Sequence, residues 1–151
     1  MVTFREARQS DLPAIIDILA ADDVTGPFED NSPEAKHQYV EAFERIAQQE
    51  DNYLVVGVMG EKVVAVAQFV ITPVFVFTGV QRMTIEAMLV DHQYRNQAIG
   101  TKLAEHVIHI AKQHGCDMVQ LMTNNQRVHA HRFYKNLGFV DSHIGMRLTV
   151  T

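Results

Sequence analysis

The sequence predicts one α/β (α+β) domain built on a mixed sheet. Its 151 residues are 47% hydrophobic and 21% charged, which is enough chain and enough apolar content for one buried core. Three strand-like segments follow one another between residues 53 and 90, and helices alternate with strands after that. Strands joined by hairpins pair antiparallel, whereas strands joined by a crossover helix pair parallel, so both kinds of pairing are expected.

The first third of the chain predicts one strand and two helices. Residues 3–8 alternate weakly between polar and apolar side chains, which is typical of a strand. Ser10 is expected to cap the first helix. The apolar stripe of that helix is predicted at Leu12, Ile15, Ile16 and Leu19. Residues 22–32 are acidic and contain glycine and proline, so they predict a loop. A second helix is expected over about residues 33–49 because its apolar side chains recur at helical spacing.

The middle of the chain predicts three consecutive strands, at residues 53–59, about 63–76 and 81–90. The turn Gly60-Glu61-Lys62 joins the first two. The second strand lies in a long uncharged run that approaches the length of a membrane helix. Its β-branched and aromatic side chains, interrupted by Pro73, favour strands instead.

The last third predicts two helices separated by a strand. The clearest helical period in the chain begins at Ile99 and ends at Gly115. A short apolar strand is expected at residues 118–122. A helix is expected at about 128–137, ending at Gly138 with a left-handed C-cap. Residues 139–149 are expected to supply one or two closing strands.

Composition excludes several function classes. The chain has 13 Lys and Arg against 18 Asp and Glu, a formal net charge of −5. Nucleic-acid affinity depends on clustered basic side chains, so no nucleic acid is expected as a partner. Cys116 is the single cysteine, and the N-terminal residues lack the order of a signal peptide, so a cytoplasmic protein without a membrane partner is expected. No histidine pair is completed by a carboxylate or cysteine at zinc-site spacing, so no metal is expected.

A candidate anion site lies where the third of these strands leads into the helix at Ile99. The strand ends at Val90, the next turn contains Arg95, and the helix opens around the small residues Ala98 and Gly100. The first turn of a helix has unpaired N–H groups and the positive end of the helix dipole, and small side chains let a phosphate approach the backbone. The alternative is an ordinary strand–turn–helix junction, which also favours small residues.

A second segment, residues 127–139, carries a pattern of its own. An alanine, a Phe-Tyr pair and a Gly-Phe pair stand at fixed spacing: Ala130, Phe133, Tyr134, Gly138 and Phe139. With Arg95, Ala98 and Gly100 before it, the chain resembles the GNAT superfamily of acetyl-CoA-dependent N-acetyltransferases. The two motifs of that superfamily read Arg/Gln-x-x-Gly-x-Gly/Ala and Ala-x-x-Phe/Leu-Tyr-x-x-x-Gly-Phe.

The chain departs from the family pattern at two positions. Ala98 stands where the family usually has glycine, and alanine resists positive φ, so a cradle that needs that conformation would be strained. Arg127 stands where many members have asparagine, which removes one polar contact that would otherwise be assigned.

The resemblance implies a fold and a co-substrate. It implies a single domain over residues 1–151, with a mostly antiparallel central sheet of six to seven strands flanked by about four helices. It also implies acetyl-CoA as co-substrate and a possible homodimer, with the apolar C-terminal strands pairing across a two-fold axis. The implied coenzyme-binding residues are Met88, Leu89, Val90, Arg95, Asn96, Gln97, Ala98, Ile99, Gly100, Thr101, Lys102, Asn125, His131 and Tyr134.

The resemblance also implies catalytic roles. A primary amine attacks the thioester, and a backbone N–H near Leu89 or Val90 stabilises the oxyanion. Tyr134 is the expected proton donor to the departing thiolate; its alternative role is packing at a helix end. Glu86 is the expected base or amine ligand, acting best through water because a carboxylate of pKa about 4.3 is poorly matched to an ammonium near 10.4. Its alternative is a carboxylate that simply faces water.

The acceptor is expected to be a small-molecule amine. The acids Asp22, Glu29 and Asp30 lie in the loop that usually borders the acceptor site in this family, although such a loop can also be merely solvated. Two other functions stay open: a non-catalytic acyl-CoA-binding or sensing module, and acetylation of a protein N-terminus or lysine.

Overall fold

A five-stranded mixed sheet lies at the centre of the first of two units, Met1–Leu121, in the computed structural model, which describes all 151 residues. The strands follow chain order: β1 (Thr3–Glu6), β2 (Asn52–Met59), β3 (Lys62–Pro73), β4 (Gln81–Val90) and β5 (Met118–Leu121). The pairs from β1 to β4 are antiparallel, and β5 is parallel to β4. The mixed sheet inferred from the sequence is therefore confirmed.

Four helices belong to this unit and one belongs to the second unit, Met122–Thr151. They are α1 (Leu12–Ala20), α2 (Lys36–Gln48), the four-residue turn α3 (Val76–Gly79), α4 (Ile99–Gln113) and, in the second unit, α5 (Val128–Asn136). Short 3-10 turns precede α1, α2 and α4. No helix in the structure is both long enough and apolar enough to span a membrane.

The expected count of six to seven strands and about four helices is wrong, because there are five of each. Residues 139–151 form neither strand nor helix, although their side chains alternate as in a strand. Alternation reports which way side chains would point on an extended backbone, and a strand also requires a hydrogen-bonded neighbour. The fifth helix is α3, which begins at the last residue of the strand predicted over about 63–76 and fills the connection to β4.

The β3–β4 connection at α3 is strained and exposed. Phe77 and Thr78 have φ values of 58° and 65°, in the left-handed region that few residues other than glycine adopt. The side chains of Phe75, Val76 and Phe77 are largely solvent-exposed. Val74 N–H donates to the Val80 carbonyl at 2.8 Å and closes the connection.

The core forms where α1 packs on the sheet. Leu12, Ile15, Ile16 and Ile18 from α1 contact Val56, Val58, Val63 and Val66 from β2 and β3. The predicted apolar stripe of α1 is confirmed at Leu12, Ile15 and Ile16. At its end Ile18 is buried, whereas the expected Leu19 is only partly buried. From α4, Leu103 and Val107 are fully buried.

Ser10 does not cap α1, so that prediction is wrong. Ser10 lies inside a 3-10 turn, and α1 starts at Leu12 with Asp11 as the preceding residue. The Asp11 carboxylate accepts a hydrogen bond from Arg8 N–H at 2.7 Å and two from the Arg5 guanidinium at 2.7 and 3.0 Å. A buried aspartate at the start of the helix therefore ties β1 to α1.

We expect Asp11→Asn to lower the free energy of unfolding by about 2 kcal/mol at neutral pH, because it leaves the partly buried Arg5 without its charge partner. The hydrogen bonds from Arg5 hold the pKa of Asp11 below its usual value. The stabilisation is therefore present above about pH 4 and is lost as pH falls through the lowered pKa. Urea unfolding at a series of pH values should show the wild-type and variant curves converging in acid. Asp17→Asn, an exposed acid on α1, is the matched control and should change stability little.

Candidate active site

β5 ends halfway along β4, at Leu121. β5 pairs with β4 only from Arg82 to Ile85. β3 pairs with β4 along nearly its whole length, up to Val90. Residues 86–90 of β4 therefore have a strand neighbour on one side only, and the edge that would face β5 leaves backbone N–H and C=O groups available.

Alternation identifies which N–H groups point toward this open edge. Asp91 N–H donates to the Val64 carbonyl at 2.8 Å, which points it toward β3. Backbone groups of successive strand residues point to opposite sides, so the N–H of Leu89 also faces β3 and those of Met88 and Val90 face the open edge. In agreement, the Val90 carbonyl accepts a hydrogen bond from Arg95 Nε at 3.4 Å rather than one from a strand.

Glu86 is the extra residue of a β-bulge. Phe69 of β3 pairs with Ile85 and the adjacent Gln68 pairs with Ala87, so Glu86 has no partner across the ladder. Its side chain is exposed, beside the buried Ile85. A bulge bends its strand and redirects a side chain, and here it places a carboxylate where β4 parts from β5. The sequence suggested unbroken alternation, and nothing in its pattern marked the bulge.

The N-terminus of α4 is an uncapped helix end in a strained turn. Ala98 has φ 61° and ψ 15°, and Asn96 has φ 64°. The first helical bond runs from Lys102 N–H to the Ala98 carbonyl at 3.1 Å. The N–H groups of Ile99, Gly100 and Thr101 therefore have no acceptor within the helix, and Ala98 supplies no side-chain cap.

The electrostatics of this helix end favour an anion. α4 has 15 residues, its first turn contains no acid, and Lys102 stands beside the positive end of the helix dipole. Ala98 turns the chain into α4 through its positive φ, a conformation that costs alanine about 1–2 kcal/mol. The strain that the sequence led us to expect at Ala98 is therefore present.

Arg95 lies between the end of β4 and the loop that follows α1. Its Nη2 atom is 4.0 Å from Asp22 Oδ1, and Asp22 is buried. The other Asp22 oxygen accepts hydrogen bonds from Val24 N–H at 3.1 Å, from Thr25 N–H at 2.8 Å and from the Thr25 hydroxyl at 3.1 Å. Asp22 thus holds the shape of its own loop, a role for which the Asp-x-x-Thr spacing was the available signal.

The other predicted acids of this loop are also engaged in hydrogen bonds. The Tyr39 hydroxyl donates to Glu29 Oε2 at 2.5 Å. Asp30 is exposed and accepts a hydrogen bond from Ser32 N–H at 2.9 Å. Hydrogen bonding from the Ser32 side chain, and then from its backbone N–H, lowers the pKa of the Asp30 carboxyl group. Glu29 is half-buried, whereas Asp22 is buried.

A cavity of about 320 Å³ lies between α1 and the end of β4. Its lining includes Ala14, Asp17 and Ile18 of α1, Lys62 at the start of β3, and Val90, Asp91, His92, Gln93 and Arg95. Arg95 is shared between the cavity and the turn before α4.

The second unit contains Tyr134 on α5. The Tyr134 ring makes edge-to-face contacts with Phe133 and Phe139, with ring centroids 5.3 and 5.6 Å apart. Burial raises the pKa of Tyr134, an effect that nearby Arg127 partly opposes. The phenol is therefore protonated at neutral pH and available as a donor.

The other predicted residues of this unit lie around the start of α5. His131 Nε2 is 2.9 Å from the Asn124 carbonyl, and Asn125 is exposed in a turn. Gly138 has φ 102° and ends the helix, with Phe139 N–H donating to the Tyr134 carbonyl at 3.0 Å. The left-handed glycine predicted at this helix end is confirmed.

Comparison with known proteins identifies a family. The model of the acetyltransferase (GNAT) family matches residues 13–139. A Bacillus halodurans C-125 protein described as a transcriptional regulator has a solved structure that is 37% identical, with a TM-score of 0.96 over 99% of both chains. No curated protein matches the chain.

Two more distant structures share the fold. Glucosamine-6-phosphate N-acetyltransferase from Arabidopsis thaliana is 22% identical, with a TM-score of 0.80 over 100% of this chain and 99% of that one. A putative acetyltransferase from Agrobacterium tumefaciens str. C58 is 24% identical, with a TM-score of 0.81 over 97% and 99% of the two chains.

We expect Ala98→Gly to raise the free energy of unfolding by about 0.5–1 kcal/mol. Relief of the left-handed strain exceeds the added entropy of glycine in the unfolded chain. Differential scanning calorimetry should show the melting temperature rising by about 2–4 °C per kcal/mol for a chain of this size. Ala47→Gly, at an exposed position of α2, is the control and should lower stability, since glycine weakens an ordinary helix. A fall in stability for Ala98→Gly as well would contradict the strained geometry.

Proposed function

The chain belongs to the GNAT acetyltransferase family, and on that premise we propose that it transfers the acetyl group of acetyl-CoA to a primary amine of a small molecule. The observation that carries the proposal is that two groups of unpaired backbone N–H donors follow one another along the chain. The free N–H groups of Met88 and Val90 on β4 are followed in the chain by the free first-turn N–H groups of α4. An extended ligand with amide groups and an anionic end suits this order of donors.

The chain offers a distinct contact to each part of acetyl-CoA. The pyrophosphate would accept hydrogen bonds from N–H groups of residues 97–101, with charge support from Arg95 and Lys102. The Gly100 position keeps the helix backbone accessible. The amide groups of the pantetheine arm would pair with the open edge of β4, as a neighbouring strand would. In the reaction acetyl-CoA supplies an acetyl thioester.

The reaction is direct transfer. The amine nitrogen forms a bond to the acetyl carbon, and the carbon–sulfur bond then breaks. We assign oxyanion stabilisation to the Val90 N–H, because it faces the open edge. The Tyr134 hydroxyl gives its proton to the leaving sulfur, and the raised pKa of this phenol keeps that proton available.

Glu86 is assigned to the amine. A carboxylate is a far weaker base than an amine, so direct proton abstraction from an ammonium group is unfavourable. The exposure of Glu86 supports passage of the proton through water to solvent. The half-buried carboxylate of Glu29 and the exposed carboxylate of Asp30 favour a cationic acceptor, while Asp22 would act by holding the loop.

The proposal also covers localisation and assembly. The single cysteine fits a reducing cytoplasm, and we include homodimeric assembly. The Bacillus halodurans relative is described as a transcriptional regulator. Direct DNA contact would need a basic surface, however, and this chain carries a net charge of −5.

The strained Ala98 favours one second candidate, a module that binds acyl-CoA without transferring the acetyl group.

Coenzyme binding is tested by isothermal titration with acetyl-CoA and with free coenzyme A. Gly100→Trp should weaken binding of both by at least about tenfold, because an indole would block the first turn of α4. His109→Trp, on the exposed face of the same helix, is the control and should bind as the wild type does. Equal affinity in the wild type and Gly100→Trp would reject the cradle at α4.

Acetyl transfer is tested by thiol release from acetyl-CoA across a panel of mono-, di- and polyamines. With an active acceptor, Tyr134→Phe should lower kcat by about 10²-fold or more and leave coenzyme affinity intact, since it removes a general acid. Glu86→Gln should lower kcat/KM mainly at neutral pH, where the amine must lose a proton. Binding without turnover on any amine would instead support the non-catalytic module, and full activity in both variants would overturn the two roles.

A further inference from the structure

The first half of β4 has one buried face and one face that is open to solvent. Met83 and Ile85 are 0% and 5% exposed. Alternation along the strand puts Arg82 and Thr84 on the opposite face, where both are half-buried. Thr72, which lies opposite Arg82 on β3, is exposed on that same face. A small molecule can therefore reach the side chains of Arg82 and Thr84.

Arg82 carries a charge that no group of the chain neutralises. Its Nε atom is buried and makes no hydrogen bond. Arg82 also belongs to none of the ion pairs. The neighbouring acid, Asp117, instead accepts a hydrogen bond from Gln81 N–H at 3.0 Å. A buried donor without an acceptor lowers stability and is rare in native proteins, and a ligand that accepts this hydrogen bond would explain it.

The side chains beside Arg82 add hydrogen-bond donors and no acid. The Thr84 hydroxyl accepts a hydrogen bond from the Gln120 amide at 3.1 Å. The proton of that hydroxyl is therefore free to be donated to a ligand. The partners of Arg82 in the ladder are Thr72 on β3 and Met118 on β5, neither of which is charged.

This combination of groups selects an anion. A guanidinium stays protonated at physiological pH, and its planar N–H groups match the two oxygens of a carboxylate or a phosphate. A hydroxyl donor beside it can bind a further oxygen of the same group. An ammonium group would be repelled at this position.

The open face also leads toward the carboxylate assigned to the amine. Glu86 lies four residues after Arg82 on the same strand and is exposed. The Cα atoms of the two residues are therefore at most about 13 Å apart, since a strand rises about 3.4 Å per residue. Both side chains are long, so one small molecule with opposite charges at its two ends can contact both. The role of Glu86 belongs to the proposed function, on which this inference rests.

We propose that the acceptor is a zwitterionic small molecule whose amine end lies at Glu86 and whose anionic end, a carboxylate or a phosphate, binds the Arg82 guanidinium and the Thr84 hydroxyl. Arg82 contacts the end of the acceptor that does not react. It therefore determines specificity and orients the amine, because binding energy at a remote group can position the reacting one. A polyamine is disfavoured, since its second ammonium would lie beside the guanidinium.

The first measurement compares acetyl transfer to zwitterionic amines and to alkylamines of matched length. The zwitterions are γ-aminobutyrate, ε-aminocaproate and phosphoethanolamine, and the preferred one identifies the anionic group. The wild type should have a higher kcat/KM for a zwitterion than for its alkylamine. Arg82→Met should lower that ratio by about 10- to 100-fold, because a charged hydrogen-bond donor is lost. Arg45→Met removes the same charge from an exposed position of α2 and should keep the wild-type ratio.

The second measurement detects the anion site without turnover. Isothermal titration of the same zwitterions into the full chain, with and without coenzyme A, should show binding to the wild type and to Arg45→Met. Binding to Arg82→Met should be at least about tenfold weaker. Without any ligand, Arg82→Met should melt at or above the wild-type temperature, because the variant removes a buried donor that has no acceptor.

The outcomes separate this inference from the proposed reaction. Zwitterion binding that is equal in the wild type and Arg82→Met, or absent from both, would overturn the anion site. A melting temperature of Arg82→Met below that of Arg45→Met would also overturn it, since Arg82 would then stabilise the fold. Arg82-dependent binding without acetyl transfer would support the anion site and reject the reaction. Transfer to alkylamines with no preference for a zwitterion would keep the reaction and reject the anion site.

Discussion

The end of β5 at Leu121 is the constraint on which the rest of the site depends. β5 pairs with β4 only as far as Ile85, and the bulge at Glu86 begins at the next residue. Beyond that point β4 keeps only its antiparallel neighbour β3, and the bulge adds a bend and extra twist to the strand. The outward N–H groups of Met88 and Val90 and the exposed Glu86 carboxylate lie on this half of β4, which leads to α4.

The turn before α4 adopts an unfavourable backbone conformation that leaves the first N–H groups of the helix exposed as donors. Two residues without the freedom of glycine, Asn96 and Ala98, occupy left-handed conformations. The helix that follows has neither a side-chain cap nor an acid in its first turn. Each of these choices lowers the stability of the isolated helix end, and together they leave its positive end unneutralised. Arg95 connects this turn to the buried Asp22, so the loop after α1 is held to the same framework.

Local pattern was sufficient to predict most of the fold. Helical periods predicted α2, α4 and α5 closely, and the β-branched runs predicted β2 and β4 with nearly the observed bounds. The wrong predictions concern places where the local structure depends on contacts with residues elsewhere in the chain, which a local pattern does not reveal. The Arg5–Asp11 pair replaced the expected Ser10 cap, the bulge at Glu86 interrupted an apparently regular strand, and residues 139–151 alternate without pairing. The residues assigned to the candidate site come from motif spacing and stay predictions, whereas the direction of each β4 N–H group could be read only from the pairing of β4 with β3.

The bulge also shows that strand pairing in β4 does not depend on residue 86, whereas the position of a carboxylate there does. Gln68 and Phe69 are consecutive on β3, and their partners Ala87 and Ile85 flank Glu86. A chain with residue 86 deleted could keep every one of these pairs, with a straighter β4 and no carboxylate. The β3–β4 ladder therefore does not need Glu86. The bend of β4 depends on the presence of one extra residue as much as on which residue it is. Among relatives, an insertion or deletion of a single residue in this strand would be expected to separate chains that bear this site from chains that retain only the scaffold.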